Sequence, residues 1–86
     1  MTRFRYKDSV LAELARHGVA PTEETTPDLV REYVNDLYVY EIRKLRDRLR
    51  NGLVRKEDYA VLVDELRRRY PILSLPIQFW TEPVTD

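Results

Sequence analysis

The longest regular pattern of apolar positions runs through residues 27–50. The motif Thr26-Pro27-Asp28 begins it with a good helix cap, a proline that suits the first helical position, and an acid that suits the positive end of the helix dipole. No further glycine or proline follows until Gly52, which is a typical helix stop. The pattern therefore predicts one long, uninterrupted helix.

Two shorter helical patterns flank the long one. Residues 9–17 carry an apolar stripe after a polar start and end before Gly18, which predicts a first helix. Residues 56–70 place apolar side chains on one clean helical face and end before Pro71, which predicts a third helix. Because only a short turn separates the second and third helices, we expect them to form an antiparallel hairpin.

The segment after residue 70 is apolar but has no helical period. Pro71 and Pro76 disfavour a helix, so we expect an extended tail, ordered over residues 71–82, that packs on the helices and ends in one turn. Pairing of this tail with residues 4–7 is one arrangement open to it. It could be a lid over the core of the chain, which we favour, or a docking peptide for a partner. The residues concerned are Leu75, Ile77, Phe79 and Trp80.

These elements predict an all-α fold: a single domain over residues 1–86 with a small three-helix architecture, a long central helix in an antiparallel hairpin, and the apolar tail packed on it. A helix of this length spans roughly 36 Å, whereas a compact chain of this size is roughly 30 Å across. The apolar arc of the helix covers more than half of its circumference, with a second arm formed by Leu29, Tyr33 and Tyr40. Either the monomer is elongated, or the tail or a second chain covers the remaining apolar surface.

The charge of the chain is zero overall but unevenly distributed. Fifteen basic and fifteen acidic residues cancel, which argues against indiscriminate nucleic-acid binding. Residues 20–41 carry a net charge of −5 and residues 42–70 carry +5. The sign therefore changes inside the long helix, between Glu41 and Arg43.

This charge change suggests that the long helix pairs with a second copy of itself. A two-fold antiparallel pairing centred near Val39 would set the acids of one copy against the bases of the other, and self-complementarity is what a symmetric dimer requires. Acids early and bases late in a helix also stabilise its own dipole without any partner, so both explanations stay open. The predicted self-association surface consists of Glu32, Tyr33, Asp36, Val39, Tyr40, Arg43 and Arg46.

Candidate chemistry is sparse. Glu41 lies on the apolar face of the long helix, which makes it a candidate for a paired or perturbed carboxylate, with Tyr38, Arg48 or another arginine as its partner. His17 and Glu13 share one helix face but do not by themselves make a metal or proton-transfer site. A basic end of the hairpin could contact phosphate or nucleic acid through Arg46, Arg50, Arg55 and Lys56.

The sequence therefore favours a small, non-enzymatic protein–protein interaction or assembly module, most simply a homodimer, with another protein as the other partner to consider. The alternative is an accessory protein that binds nucleic acid or phosphate at the basic hairpin end. No cysteine, apolar run of membrane-spanning length or signal-peptide core is present, so we expect a cytoplasmic protein without a membrane anchor. We expect no metal and no cofactor.

Overall fold

The computed structural model describes residues 3–84, which form three α-helices and a two-stranded antiparallel sheet. The fold is mostly helical, as predicted, but the sheet makes the all-α assignment wrong in that respect. In chain order the elements are β1 (Phe4–Tyr6), α1 (Asp8–Ala15), α2 (Pro27–Arg50), α3 (Lys56–Arg68), a first 3₁₀ turn (Pro71–Ser74), a second 3₁₀ turn (Ile77–Phe79) and β2 (Thr81–Pro83).

The long helix α2 begins and ends at the predicted residues. The Thr26 hydroxyl accepts a hydrogen bond from the backbone N–H of Leu29, at 3.4 Å, and so satisfies one of the free donors at the helix start. At the other end Gly52 adopts a φ of +74°, which ordinary side chains disfavour. The N–H of Leu53 then reaches back to the carbonyl of Arg48, at 2.9 Å, to complete a Schellman cap.

The two shorter helices end earlier than predicted. α1 stops at Ala15 rather than near residue 17, although Gly18 has the expected positive φ of +74° and the Val19 N–H bonds the Leu14 carbonyl at 3.0 Å. α3 stops at Arg68 rather than near residue 70. In both cases the last turn of the helix is a capping turn with hydrogen bonds between residues three apart, so its backbone no longer has the α-helical pattern.

The C-terminal tail is not the extended segment that was predicted. It folds into two successive 3₁₀ turns, because Pro71 suits the first position of one turn and Pro76 directly precedes the other. It then becomes β2, which pairs with β1 in the register Phe4↔Pro83 and Tyr6↔Thr81. The tail therefore closes against the N-terminal strand, which was the pairing left open by the sequence.

The core lies where β1, α1, the first half of α2, the end of α3 and the tail meet, and we call this part the head. Its centre is Trp80, which has no exposed surface. The Tyr6 hydroxyl donates a hydrogen bond to the Thr25 carbonyl and so ties the loop between α1 and α2 to the head. The buried core residues are Tyr6, Val10, Leu14, Val30, Val34, Leu66, Tyr70, Ile72 and Trp80.

The rest of the hairpin extends away from the head as a two-helix arm, formed by the second half of α2, the turn over residues 51–55 and the first half of α3. Leu45 and Val54 are its buried residues and lie outside the head cluster. The described chain measures 57 × 18 × 17 Å with a radius of gyration of 16.1 Å, against roughly 12 Å for a compact chain of this length. The chain on its own is therefore elongated.

Candidate interaction surfaces

The predicted self-association surface lies on the side of α2 that faces solvent. Tyr33 and Tyr40 are 55% and 62% exposed, and Val39 is half-buried. Leu29, one helical turn before Tyr33, is 59% exposed and extends the same stripe. Sequence reasoning placed Leu29 beside the two tyrosines but did not include it in the predicted surface. We call these residues and the charged side chains between them the outward face of α2.

The four charged residues of the outward face are all exposed. Glu32 and Asp36 lie towards the head, and Arg43 and Arg46 lie towards the arm. Within residues 3–84 none of the four forms an ion pair, because the salt bridges found there join other residues. Their charges are therefore free to meet a partner of complementary pattern.

An acidic groove adjoins the head end of the outward face. It lies between α2 and the loop that follows α1, and its volume is about 620 Å³. The loop contributes an apolar wall, while α2 contributes exposed apolar side chains and two carboxylates. The groove is lined by Gly18, Val19, Ala20, Pro21, Thr25, Leu29, Val30, Glu32, Tyr33 and Asp36.

The four tail residues have different environments. Trp80 is fully buried and its indole N–H donates a hydrogen bond to the Leu75 carbonyl at 2.9 Å. Leu75 and Ile77 are half-buried against the core, whereas Phe79 is 49% exposed. Arg31 of α2 also donates to the Leu75 carbonyl, at 3.3 Å, and to that of Leu73. This arrangement favours the core lid over the docking peptide, and sequence reasoning did not foresee the contribution of Arg31.

Glu41 is half-buried and accepts a hydrogen bond from the hydroxyl of Tyr70. Burial, followed by this hydrogen bond and the nearby Glu41 charge, raises the pKa of Tyr70 to about 12. The Tyr70 ring is stacked on His17, with centroids 4.2 Å apart, and meets Tyr38 edge-on at 5.4 Å. The partner of Glu41 is thus a residue that sequence reasoning did not consider, because the two are far apart along the chain.

His17 takes part in packing at the end of α1. Its Nε2 atom is buried and has no hydrogen-bond partner among the residues that the structure describes. The same is true of Oε2 of Glu13, whose other carboxylate oxygen contacts Arg16 at 3.3 Å. Across residues 3–84 no group of three or more histidine, aspartate and glutamate side chains is placed to hold a metal ion. In that same range no helix is both long enough and apolar enough to cross a membrane.

The tip of the arm combines cations with exposed apolar side chains. Of the four predicted anion contacts, Arg55 is paired with Asp58, its Nε donating to the carboxylate at 3.0 Å. Leu53 at the tip is 72% exposed. The other three anion candidates, all exposed and without an ion pair in the described part of the chain, are Arg46, Arg50 and Lys56.

The comparisons with known proteins give no relative. No protein-family model matches the chain, and neither a curated protein nor a solved structure is similar to it. Any functional conclusion therefore depends on the surfaces described above.

Proposed function

We propose that the chain is a non-enzymatic protein–protein interaction module that pairs with a second copy of itself through the outward face of α2. The observation that carries the proposal is the exposure of Leu29, Tyr33 and Tyr40 along one stripe of that face. The tail and α3 pack on the other apolar arc of α2 and leave this one uncovered. Small secreted domains usually depend on disulfide bonds, so the lack of cysteine in this chain supports a cytoplasmic location as part of the proposal.

The charge pattern favours a two-fold antiparallel arrangement centred near Val39. In this arrangement Glu32 faces Arg46 of the second copy, and Asp36 faces Arg43 of the second copy. The two-fold axis repeats each pair, so the interface contains four ion pairs. Exposed pairs contribute about 0–1 kcal/mol each, so they fix orientation while the tyrosines supply most of the attraction.

The size of the face sets the expected affinity. A helix about 36 Å long and about 10–12 Å wide offers roughly 400 Å² on one side, which is half of the ~800 Å² that each partner buries in a standard interface. The wall of the acidic groove, formed by the loop at Val19–Pro21, would add to this area when the arm of the second copy lies alongside it. We therefore expect a weak dimer with a Kd of about 1 μM or higher.

Sedimentation velocity over about 0.1 μM to 1 mM protein tests the proposal, since this range extends from below the lowest expected Kd to well above it. The double variant Arg43→Glu/Arg46→Glu should abolish the dimer by placing acid against acid. Adding Glu32→Arg and Asp36→Arg should restore it, because the pairs re-form with reversed signs. The matched control is Lys56→Glu/Arg67→Glu, which changes the net charge equally but lies on α3.

Two results would contradict the proposal. A wild-type chain that stays monomeric throughout this range would show that the outward face does not pair with itself, which would leave another protein as its partner. A dimer that survives charge reversal of the arginines, with circular dichroism showing intact helices, would place the interface elsewhere.

A further inference from the structure

A second concave surface lies between α2 and α3, beside Glu41 and away from the outward face of α2. Its volume is about 210 Å³, which is the volume that about seven molecules occupy in liquid water. It therefore has room for a small ion rather than for a folded partner. α2 contributes two cations to it, the residue directly after α3 contributes a third, and leucines form its floor. The lining residues are Glu41, Lys44, Leu45, Arg48, Leu62, Leu66 and Arg69. We call it the basic groove.

The three cations of the basic groove are exposed side chains. Among the described residues none of Lys44, Arg48 and Arg69 forms an ion pair. Glu65, four residues before Arg69, has the spacing of a helix pair with it, yet Arg69 lines the groove instead. Lys44 and Arg48 are themselves four residues apart on α2, a spacing at which like charges destabilise a helix.

Glu41 does not neutralise the groove. One of its carboxylate oxygens accepts the hydrogen bond from Tyr70, and the lining residues carry three positive charges against its single negative one, which leaves a formal charge of +2. The apolar floor formed by Leu45, Leu62 and Leu66 keeps water from part of the site and strengthens its field. An anion in the groove would relieve this concentration of like charge.

We propose that the basic groove binds a small phosphate-class anion, such as inorganic phosphate, pyrophosphate or the terminal phosphoryl group of a small molecule. The two arginines supply planar, forked donors that match phosphoryl oxygens, and Lys44 supplies a point charge. The groove comprises different residues from the self-association surface, so this proposal does not depend on self-association. It also moves the phosphate site predicted from sequence from the hairpin tip to the middle of the hairpin.

NMR titration of the ¹⁵N-labelled chain with inorganic phosphate and with pyrophosphate tests this proposal, with ionic strength held constant by chloride. Saturable shifts should be confined to the residues that line the groove. Replacing Arg48 or Arg69 by Gln should weaken binding about tenfold or more, the effect of losing one charge-assisted hydrogen bond. Glu41→Gln should tighten binding, because it removes the one negative charge.

Arg67→Gln is the matched control, because Arg67 is exposed on α3 and outside the groove. It should leave the affinity for both anions unchanged. Shifts that do not saturate, or that weaken equally with Arg67→Gln, would show only general attraction to basic side chains and would overturn the proposal.

Two macromolecular probes separate the small-anion site from an extended basic surface. A single-stranded oligonucleotide and anionic phospholipid vesicles should bind no more tightly than pyrophosphate does. Tighter oligonucleotide binding, with a salt dependence that indicates more than three released counterions, would assign these cations to a nucleic-acid surface and refute the proposal. Tighter binding to vesicles would refute it in favour of a membrane surface.

Discussion

Trp80 is the largest fully buried side chain in the described part of the chain, and its replacement tests the core-lid interpretation. Its side chain has no exposed surface, its indole N–H bonds the Leu75 carbonyl, and its own carbonyl accepts the N–H of Lys7 at 3.1 Å. It therefore joins the 3₁₀ turns of the tail to the N-terminal strand while filling the centre of the core. The docking-peptide interpretation would instead need this side chain to be available at the surface.

The structure sets the size of the effect. Removing a buried tryptophan side chain costs about 3–5 kcal/mol, whereas a chain of this length has a free energy of unfolding of roughly 4–13 kcal/mol. Trp80→Ala should therefore remove a large part of the stability. Trp80→Phe should cost less, about 1–2 kcal/mol, because the Leu75 carbonyl keeps its hydrogen bond from Arg31 when the indole donor is lost.

Urea unfolding followed by far-ultraviolet circular dichroism measures this cost, and Phe79→Ala is the matched control. Phe79 is the neighbouring aromatic residue, but it is half-exposed, and the Lys7 ammonium lies 5.7 Å from the centroid of its ring. Its loss should cost no more than about 1 kcal/mol. If Trp80→Ala unfolds at the wild-type urea concentration, or if Phe79→Ala is equally destabilising, the assignment of Trp80 to the core is wrong.

Two further predictions concern the hairpin. Since the raised Tyr70 pKa favours the neutral phenol in the folded state, its contribution to stability should be complete below about pH 10 and lost as the pH rises towards 12. Absorbance titration should show a late tyrosinate step near pH 12, and Tyr70→Phe should reduce that step by one tyrosine, since burial raises the pKa of Tyr6 as well. A wild-type titration that is complete by about pH 11 would contradict this prediction. Thr26→Ala should lower the free energy of unfolding by about 1 kcal/mol, because α2 loses its N-terminal cap, whereas Thr26→Ser should retain the wild-type value. Equal losses of stability in the two variants would show that the hydroxyl does not cap the helix.

The parts of the fold that could be predicted from the sequence are those determined by neighbouring residues. Thr26 and Pro27 define the start of α2, and Gly52 defines its stop, because capping and positive φ are properties of a few adjacent residues. The helical spacing of apolar residues in α3 likewise identified the side that packs against α2, on which Leu62 and Leu66 lie. Helix ends were less accurate where the last turn tightened, as at Ala15.

The parts that could not be predicted depend on residues far apart in sequence. Pro71 and Pro76 suit the two 3₁₀ turns but do not exclude an extended strand, and the hydrogen bonds that hold this segment come from Arg31 of α2, which reaches the carbonyls of Leu73 and Leu75. The pairing of Glu41 with Tyr70 is of the same kind. Its apolar setting indicated that Glu41 needs a partner, but the identity of that partner is set by how α3 returns to the head.

The two proposed sites are linked by one contact, which limits how strongly they can influence each other. Lys44 is a lining residue of the basic groove, and its ammonium lies over the ring of Tyr40 on the outward face of α2, 5.4 Å from the ring centroid. An anion that draws Lys44 into the groove frees this face of the ring for a second copy, so phosphate should strengthen the dimer.

The strength of the coupling between anion binding and dimerisation follows from the Lys44–Tyr40 cation–π contact that the anion would replace. An exposed cation–π contact contributes about 0.5–1 kcal/mol, so saturating phosphate should lower the dimer Kd by about two- to fivefold, and dimerisation should tighten phosphate binding by the same factor. Sedimentation at constant ionic strength, with and without phosphate, measures the first effect, and Lys44→Gln should abolish it. A change of tenfold or more, or one that persists in Lys44→Gln, would mean that the two surfaces share more than this one side chain.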